Sequence, residues 1–272
     1  MTITQVIKSY PQIEADLLLA HVLKQPKEFL YIHGDIKLSS AQIDTFKKLV
    51  KKRIAGKPIA YLLGYKYFFG LKFKVNKHVL IPRPETEWLV EKSLAILKTP
   101  TFESQKRIKV LDVGTGSGCI AVSIAKHSDP KNVAIYALDI SPFALKVAEH
   151  NAKFNNVTLK FCEQDITKRI KGTFDLIVAN LPYVPISEYK KFSDSLKHEP
   201  KFALTDGYDT FPLIISFLQN TVNHLAPHGH ILVETDPASI SPLKKAIKEY
   251  YPSKKVKIIT DIHHLNRFIW IY

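Results

Sequence analysis

Lys109-Val110-Leu111-Asp112-Val113-Gly114-Thr115-Gly116-Ser117-Gly118-Cys119-Ile120-Ala121 is the stretch whose reading decides the fold. A short apolar run leads into three closely spaced glycines and then into a helix start, so the segment reads as strand, tight turn, helix. Glycines at 114, 116 and 118 let the backbone approach a ligand and accept positive φ. The helix that begins near Gly118 offers free N–H groups at its first turn. The spacing is G-x-G-x-G. A dinucleotide fingerprint would place glycine or alanine at 119, and a phosphate loop would place Gly-Lys-Ser/Thr after the turn; the chain has neither. The next apolar run, Val133 to Leu138, closes with Asp139, 21 residues beyond Gly118, where a carboxylate can accept both hydroxyls of a ribose. The combination favours S-adenosylmethionine over NAD, against the alternative of a tight turn with no ligand.

Downstream, Phe174-Asp175-Leu176-Ile177-Val178-Ala179 reads as a buried strand, and Asn180-Leu181-Pro182-Tyr183 follows it directly. Ligands of α/β sheets bind at the carboxyl ends of the strands. A carboxamide oxygen and neighbouring backbone carbonyls at that position can hold a planar NH2 group by both hydrogens, which suits methyl transfer to an amide or amino nitrogen. The same residues are also ordinary turn chemistry after a strand.

From 109 onward the pattern alternates. Strands are expected near 109–113, 133–139, 158–163, 174–179 and 230–234, with helices near 118–127, 142–152, 211–225 and 238–250. Two further strands, 256–260 and 267–272, close the chain. This is the α/β pattern of a doubly wound sheet. Residues 1–60 instead read as a small helical domain. Ile13, Leu17, Leu18, Leu19, Val22 and Leu23 recur at helical spacing, and Ser39-Ser40 can cap a second helix with the stripe Ile43, Phe46, Leu49, Val50, Ile54. Gly56-Lys57-Pro58 stops that helix. Aromatic and β-branched residues with glycine turns between Tyr61 and Leu80 predict a β-hairpin, so 61–84 reads as a linker between the domains. A helix is expected from Glu85 to Leu97, a polar link from Lys98 to Arg107, and the α/β domain over 85–272.

The composition agrees with a globular enzyme: 272 residues, 46% hydrophobic and 24% charged, leave room for one large domain and an appendage and argue against general disorder. No stretch approaches a membrane span, and the first ten residues lack a secretion signal, so a cytoplasmic protein is expected. Cys119 and Cys162 are the only cysteines and read as buried small hydrophobes in a reducing compartment. The net charge of +14 suits nucleic acid. The lysines are dispersed, however: Lys47, Lys48, Lys51 and Lys52, and Lys244, Lys245 and Lys248, sit at the spacing of solvated helix faces, so nucleic acid is not the favoured partner. His228, His230, His263 and His264 have no metal-ligand spacing, and no metal is expected.

One series of motifs is more specific. Leu80-Ile81-Pro82-Arg83-Pro84-Glu85-Thr86-Glu87-Trp88-Leu89-Val90-Glu91 resembles the I-P-R-P-E-T-E segment of the HemK/PrmC protein-glutamine N5-methyltransferases, which methylate peptide-chain release factors. Glu14-Ala15-Asp16-Leu17-Leu18-Leu19-Ala20-His21-Val22-Leu23, Arg53-Ile54-Ala55-Gly56-Lys57-Pro58-Ile59-Ala60-Tyr61, and His198-Glu199-Pro200 with Ala203-Leu204 are similar to that family in the same order, over nearly the whole chain.

The resemblance implies a Rossmann-like class I S-adenosylmethionine-dependent methyltransferase domain, and an N-terminal helical domain that docks a release factor. The enzyme would be a cytoplasmic monomer. By resemblance, Gly114, Thr115, Gly116, Ser117 and Gly118 wrap the methionine part of the cofactor, Asp139 holds the ribose, and Asp165 and Ile166 flank the adenine. Asn180, which also borders the cofactor, Leu181, Pro182 and Tyr183 hold the target glutamine. The Asn180 side-chain oxygen and the Leu181 carbonyl are expected to accept the two amide hydrogens, with the Tyr183 ring against the flat amide.

Leu181 stands where the family has proline, a form that resembles rRNA adenine dimethyltransferases, and the family's E-I-G-x-x-Q element appears as Glu234-Thr235-Asp236-Pro237. An N6-adenine methyltransferase on RNA or DNA is therefore the alternative. A non-catalytic cofactor-binding scaffold is a third reading, against which stands the acceptor pair Asn180 and Tyr183 beside the cofactor groups Asp112, Gly114, Gly116 and Asp139.

Overall fold

The computed structural model describes residues 1–11, 13–103, 107–168, 170–192 and 196–272. The chain divides into two compact units, Met1–Tyr65 with a short segment ending at His198, and Lys66–Phe192 with Glu199–Tyr272. Among the described residues no helix is long and apolar enough to cross a membrane.

The first unit is helical: α1 (Ile3–Lys8), α2 (Ala15–Leu23), α3 (Lys27–Ile32), α4 (Ser40–Ile54) and α5 (Ile59–Leu63). Ser39 caps α4 in a capping box, its hydroxyl accepting from the Gln42 N–H while the Gln42 side chain accepts from the Ser39 N–H. Leu18, Leu19, Leu30, Phe46 and Val50 form its core, and Arg53 at the end of α4 makes a two-pronged ion pair with Glu14 at 2.9 and 3.1 Å. Lys47, Lys48, Lys51 and Lys52 are exposed, as a solvated helix face requires. Tyr61-Leu62-Leu63, expected to open the hairpin, belongs to α5 instead. Pro58 precedes this helix and Gly64, at φ 81°, ends it in the left-handed conformation.

The hairpin is correspondingly shorter, β1 (Tyr65–Phe68) and β2 (Leu71–Lys74), turning through Phe69-Gly70 with both φ angles positive, 48° and 70°. A single 3-10 turn over Pro84–Thr86 then tightens the start of α6 (Glu87–Leu97), which was expected to begin at Glu85. The short α7 (Pro100–Glu103) interrupts the expected polar link, of which 104–106 lie outside the described residues.

The α/β part runs β3 (Ile108–Val113), α8 (Cys119–His127), β4 (Val133–Asp139), α9 (Pro142–Phe154), β5 (Lys160–Glu163), β6 (Phe174–Asn180), α10 (Ile186–Tyr189), α11 (Pro212–Thr221), β7 (Leu225–Glu234), α12 (Ile240–Tyr250), β8 (Val256–Thr260) and β9 (Asn266–Ile271). The sheet order is β5-β4-β3-β6-β7-β9-β8, parallel from β5 to β7, with β9 antiparallel to both β7 and β8. Both faces are covered. Val110, Leu176 and Val178 pack with Ile120, Val122 and Leu89 on one side, while Leu111, Val113, Ile177 and Ala179 pack with Ile214, Leu243 and Ile247 on the other. That double burial is why these strands read as continuous apolar runs.

Two expectations need correction. The helix expected to run from 211 to 225 is α-helical to Thr221 and continues as a 3-10 turn over Val222–His224, and β7 begins at Leu225 rather than near 230. Pro227 disfavours helix at the residue before it, and the chain is already extended at Leu225. Cys162 is exposed, unlike the buried Cys119. It lies on β5, one of the two edge strands of the sheet among the described residues.

Candidate active site

The sheet order reverses between β3 and β6, so the crevice where ligands bind in such folds lies at their carboxyl ends. A cavity of about 530 Å³ opens there, within the range that holds small-molecule ligands. Its walls include the glycine turn from Gly114 to Ser117, together with Asp139, Asp165, Ile166, Asn180, Leu181 and Pro182. Gly118 sits just behind this wall as the N-cap of α8.

The glycine turn is held from several sides. Gly114, Gly116 and Gly118 all have positive φ, at 70°, 54° and 78°. A side chain at Gly118 would meet the Ala148 Cβ of α9 at 3.0 Å, and one at Gly114 would meet the Leu181 side chain at 3.0 Å. The loop therefore touches both α9 and the tetrapeptide only because two of its residues lack Cβ. Thr115 donates its N–H to the Leu138 carbonyl at 2.9 Å, and buried Asn151 of α9 donates to the Ser117 carbonyl at 2.8 Å. The same Asn151 bonds both the N–H and the carbonyl of Lys74, joining the hairpin to the turn.

Two buried carboxylates flank the turn. Asp139 accepts from the Gly116 N–H at 2.8 Å and the Ser141 N–H at 2.9 Å, and burial holds its carboxyl above the ordinary range in spite of these bonds. Asp112 is fully buried; one oxygen accepts from the Thr115 hydroxyl at 2.6 Å and the Ala121 N–H at 3.2 Å. Its other oxygen has no partner among the described residues, and burial pushes the carboxyl up to about 7. Asp139, a carboxylate that lines the cavity beside a glycine turn, fits a cofactor with a ribose diol, as S-adenosylmethionine has, while Asp112 lies behind the wall and acts on a bound cation only through its charge. Asp165 turns its carboxylate onto the N–H and hydroxyl of Thr167, which lower its pKa, while Ile166 is buried in the cavity wall.

The tetrapeptide is anchored from behind. Asn180, the last residue of β6, donates from Nδ2 to the Thr86 hydroxyl and to Glu234 Oε2, each at 3.0 Å. Tyr183 donates its hydroxyl to the other oxygen of the same carboxylate at 3.0 Å, and burial, with Glu234 beside it, raises the phenol. Tyr183 thus points its hydroxyl inward to Glu234 and is not part of the cavity wall, whereas Asn180, Leu181 and Pro182 are. Leu181 is buried.

The I-P-R-P-E-T-E segment is a strap around this corner. The Ile81 N–H and the Arg83 guanidinium both bond buried Glu199, at 2.9 and 2.6 Å, Thr86 reaches Asn180, and Glu87 accepts from the Phe69 N–H of the hairpin turn at 2.8 Å. Sequence reasoning gave Thr86 and Glu234 no role. The signal for Glu234 was present: it ends the apolar run of β7, and in the parallel register it pairs with Asn180.

Comparison with known proteins agrees with this architecture. A PrmC N-terminal domain model matches residues 5–64 and a methyltransferase domain model matches residues 104–266. A release factor glutamine methyltransferase from Bacillus cereus is 30% identical over 259 residues, covering 94% of this chain and 90% of that one. A bifunctional methyltransferase from Rickettsia typhi is 37% identical over 244 residues; the match takes in 82% of this chain but only 46% of that protein, so the chain spans about half its length. Among solved structures, the T. thermophilus 16S rRNA N2 G1207 methyltransferase, in complex with AdoMet and guanosine, aligns with a TM-score of 0.51 at 15% identity, over 76% of this chain and 49% of that one. This last likeness establishes the Rossmann-like class I methyltransferase fold, which protein and RNA methyltransferases share. With the two family models in the right order and a full-length relative at 30% identity, the chain belongs to the release factor glutamine methyltransferase family.

Proposed function

We propose that this protein is an S-adenosylmethionine-dependent enzyme that methylates the side-chain amide nitrogen of a glutamine in peptide-chain release factors. The observation that carries the amide reading is the pair of bonds that consume the Asn180 Nδ2 hydrogens behind the wall, because they leave the side-chain oxygen as the part of Asn180 available to the cavity.

When bound, the cofactor supplies a methyl group on a sulfonium, a strong electrophile. The protein's task is mainly orientation, worth up to about 7–11 kcal/mol in favourable cases. An amide nitrogen is a poor nucleophile because its lone pair is delocalised into the carbonyl. Asn180 Oδ1 and the Leu181 backbone carbonyl accept its two hydrogens, and these contacts strengthen as the nitrogen becomes positive, which is differential binding of the transition state. Gly114 to Gly118 hold the methionine part of the cofactor, Asp139 the ribose, and Asp165 with Ile166 the adenine. Pro182, which lacks an N–H, fixes the turn after Leu181, and Tyr183 anchors that turn from behind through its hydroxyl on Glu234.

The helical first unit docks the release factor. The enzyme works in the cytoplasm, where release factors act, and as a monomer, since every group assigned to cofactor and amide comes from one chain. Leu181 and the charge of +14 favour the competing reading, an N6-adenine methyltransferase on nucleic acid. Incubation with methyl-labelled S-adenosylmethionine and either a release factor or total RNA separates the two. Label in the release factor is expected. Label confined to RNA would overturn the proposal.

A further inference from the structure

Glu234 ends β7 with 1% of its surface exposed, behind the cavity wall rather than in it. Both of its oxygens point at the tetrapeptide: Oε2 accepts from Asn180 Nδ2 and Oε1 from the Tyr183 hydroxyl, each at 3.0 Å. The second Nδ2 hydrogen goes to the Thr86 hydroxyl at 3.0 Å. An amide has a donor end and an acceptor end of nearly the same shape, and packing alone hardly tells them apart. An ionised carboxylate accepts only. Turning the Asn180 amide over would set Oδ1 against Glu234 Oε2 with no hydrogen between them, in a buried place where such a contact is costly.

We infer that Glu234 is a positioning residue for the methyl transfer, fixing the Asn180 amide so that its oxygen, not its NH2 group, is presented to the substrate nitrogen. Thr86 supports the same orientation but does not impose it, because a hydroxyl can rotate to donate or accept. Burial raises the Glu234 carboxyl and the charge of Glu85 adds to the rise, while Thr86, Tyr183 and the charge of Arg267 work against it; the two donors that point at its oxygens, Asn180 Nδ2 and the Tyr183 hydroxyl, are what an ionised carboxylate accepts from. The inference rests on the reading of Asn180 as an amide acceptor. It goes beyond that reading in assigning the choice of acceptor over donor to one residue that touches neither cofactor nor substrate.

The test uses the full chain, a release factor and a set of three variants. Glu234→Gln keeps the shape but brings an NH2 group that can face Asn180 either way, so kcat is expected to fall roughly 10- to 100-fold, the scale of a charge-assisted hydrogen bond, with KM for the release factor and cofactor affinity little changed. Asn180→Asp sets a second carboxylate 3.0 Å from Glu234 and is expected to be slower still. When Asn180→Asp is combined with Glu234→Gln, the new amide NH2 at position 234 donates to one oxygen at 180, Thr86 rotates to donate as well, and the other oxygen is left as an acceptor. The double variant should therefore be faster than Asn180→Asp alone, a reversal of sign that loss of packing cannot produce.

A folded Glu234→Gln enzyme with wild-type kcat, or a double variant no faster than Asn180→Asp, would overturn the inference. Should Glu234→Gln weaken cofactor binding, single-turnover rates at saturating cofactor decide: a rate lower than wild type supports the inference, and a wild-type rate refutes it. The wild-type rate on the release factor, measured in the same assay, reports on the proposed function separately.

Discussion

Asp139 and Asp112 lie at the carboxyl ends of neighbouring strands, but different groups satisfy them. Asp139 has both oxygens bonded to backbone N–H groups, with lone pairs left over for the cavity that it lines. Asp139→Ala is expected to weaken S-adenosylmethionine binding by about 1.5–3 kcal/mol, the range for a hydrogen bond to a charged group, as read by calorimetric titration. Unchanged affinity in a folded variant would remove Asp139 from the ribose site. Asp112 keeps one orphaned oxygen, and burial lifts its carboxyl from 3.8 to about 7. A folded-state pKa above the unfolded one means that the native state holds the proton longer. The contribution of Asp112 to stability is thus greatest below about pH 4 and is lost as pH rises toward about 7. A cationic ligand favours the ionised form, so cofactor affinity should run the opposite way and increase through the same window. Titrations at about pH 6 and about pH 8 should differ in the wild type and differ less in Asp112→Asn. At this scale the sequence shows Asp139, because one strand and its last residue suffice. It does not show Thr86 or Glu234 as partners of Asn180, since those bonds span 94 and 54 positions and depend on the strap and on strand register.

Elements were legible where burial was two-sided and weakly legible where capping or edges decide. β3, β4 and β6 follow their apolar runs closely because both faces are covered. The start of β7 does not, since Leu225 to Gly229 carries little periodicity and Pro227 only excludes helix. The hairpin also came out shorter than its aromatic content suggested, since Pro58 and Gly64 make a helix of the residues between them. What joins that hairpin to the glycine turn is Asn151 on α9, a fully buried amide bonded to Lys74 N–H, Lys74 carbonyl and Ser117 carbonyl. Replacing it with alanine leaves these backbone groups without partners. Asn151→Ala should cost roughly 1–3 kcal/mol in urea unfolding and weaken cofactor binding in parallel. Full stability with full affinity would show that the hairpin does not brace the turn.

At the scale of the whole molecule, the two compact units suggest a division of work between docking and chemistry. Phe68 and Phe73 of the hairpin are buried in the core of the second unit, so a cut after Tyr65 keeps that core whole. Residues 66–272 are expected to bind cofactor and to methylate a short glutamine peptide, while methylating an intact release factor poorly compared with the full chain. Equal rates on the intact factor would show that the helical unit does not dock it. The charge of +14, which suits nucleic acid, is carried in part by the exposed lysines of α4, which line a solvated helix face rather than the cavity, and so weighs little against a protein substrate.

The central claim is that the Asn180 corner holds a glutamine amide for methyl transfer, and residue-resolved mass spectrometry of a release factor after a single turnover tests it most directly. The account predicts one methyl group, on the side-chain nitrogen of one glutamine. It also predicts a rate lower by about 100- to 1,000-fold for Asn180→Ala at unchanged cofactor affinity, as expected for loss of one preorganised hydrogen-bond partner. A methyl group on any other kind of residue, or a folded Asn180→Ala enzyme that modifies the same glutamine at the wild-type rate, would contradict it.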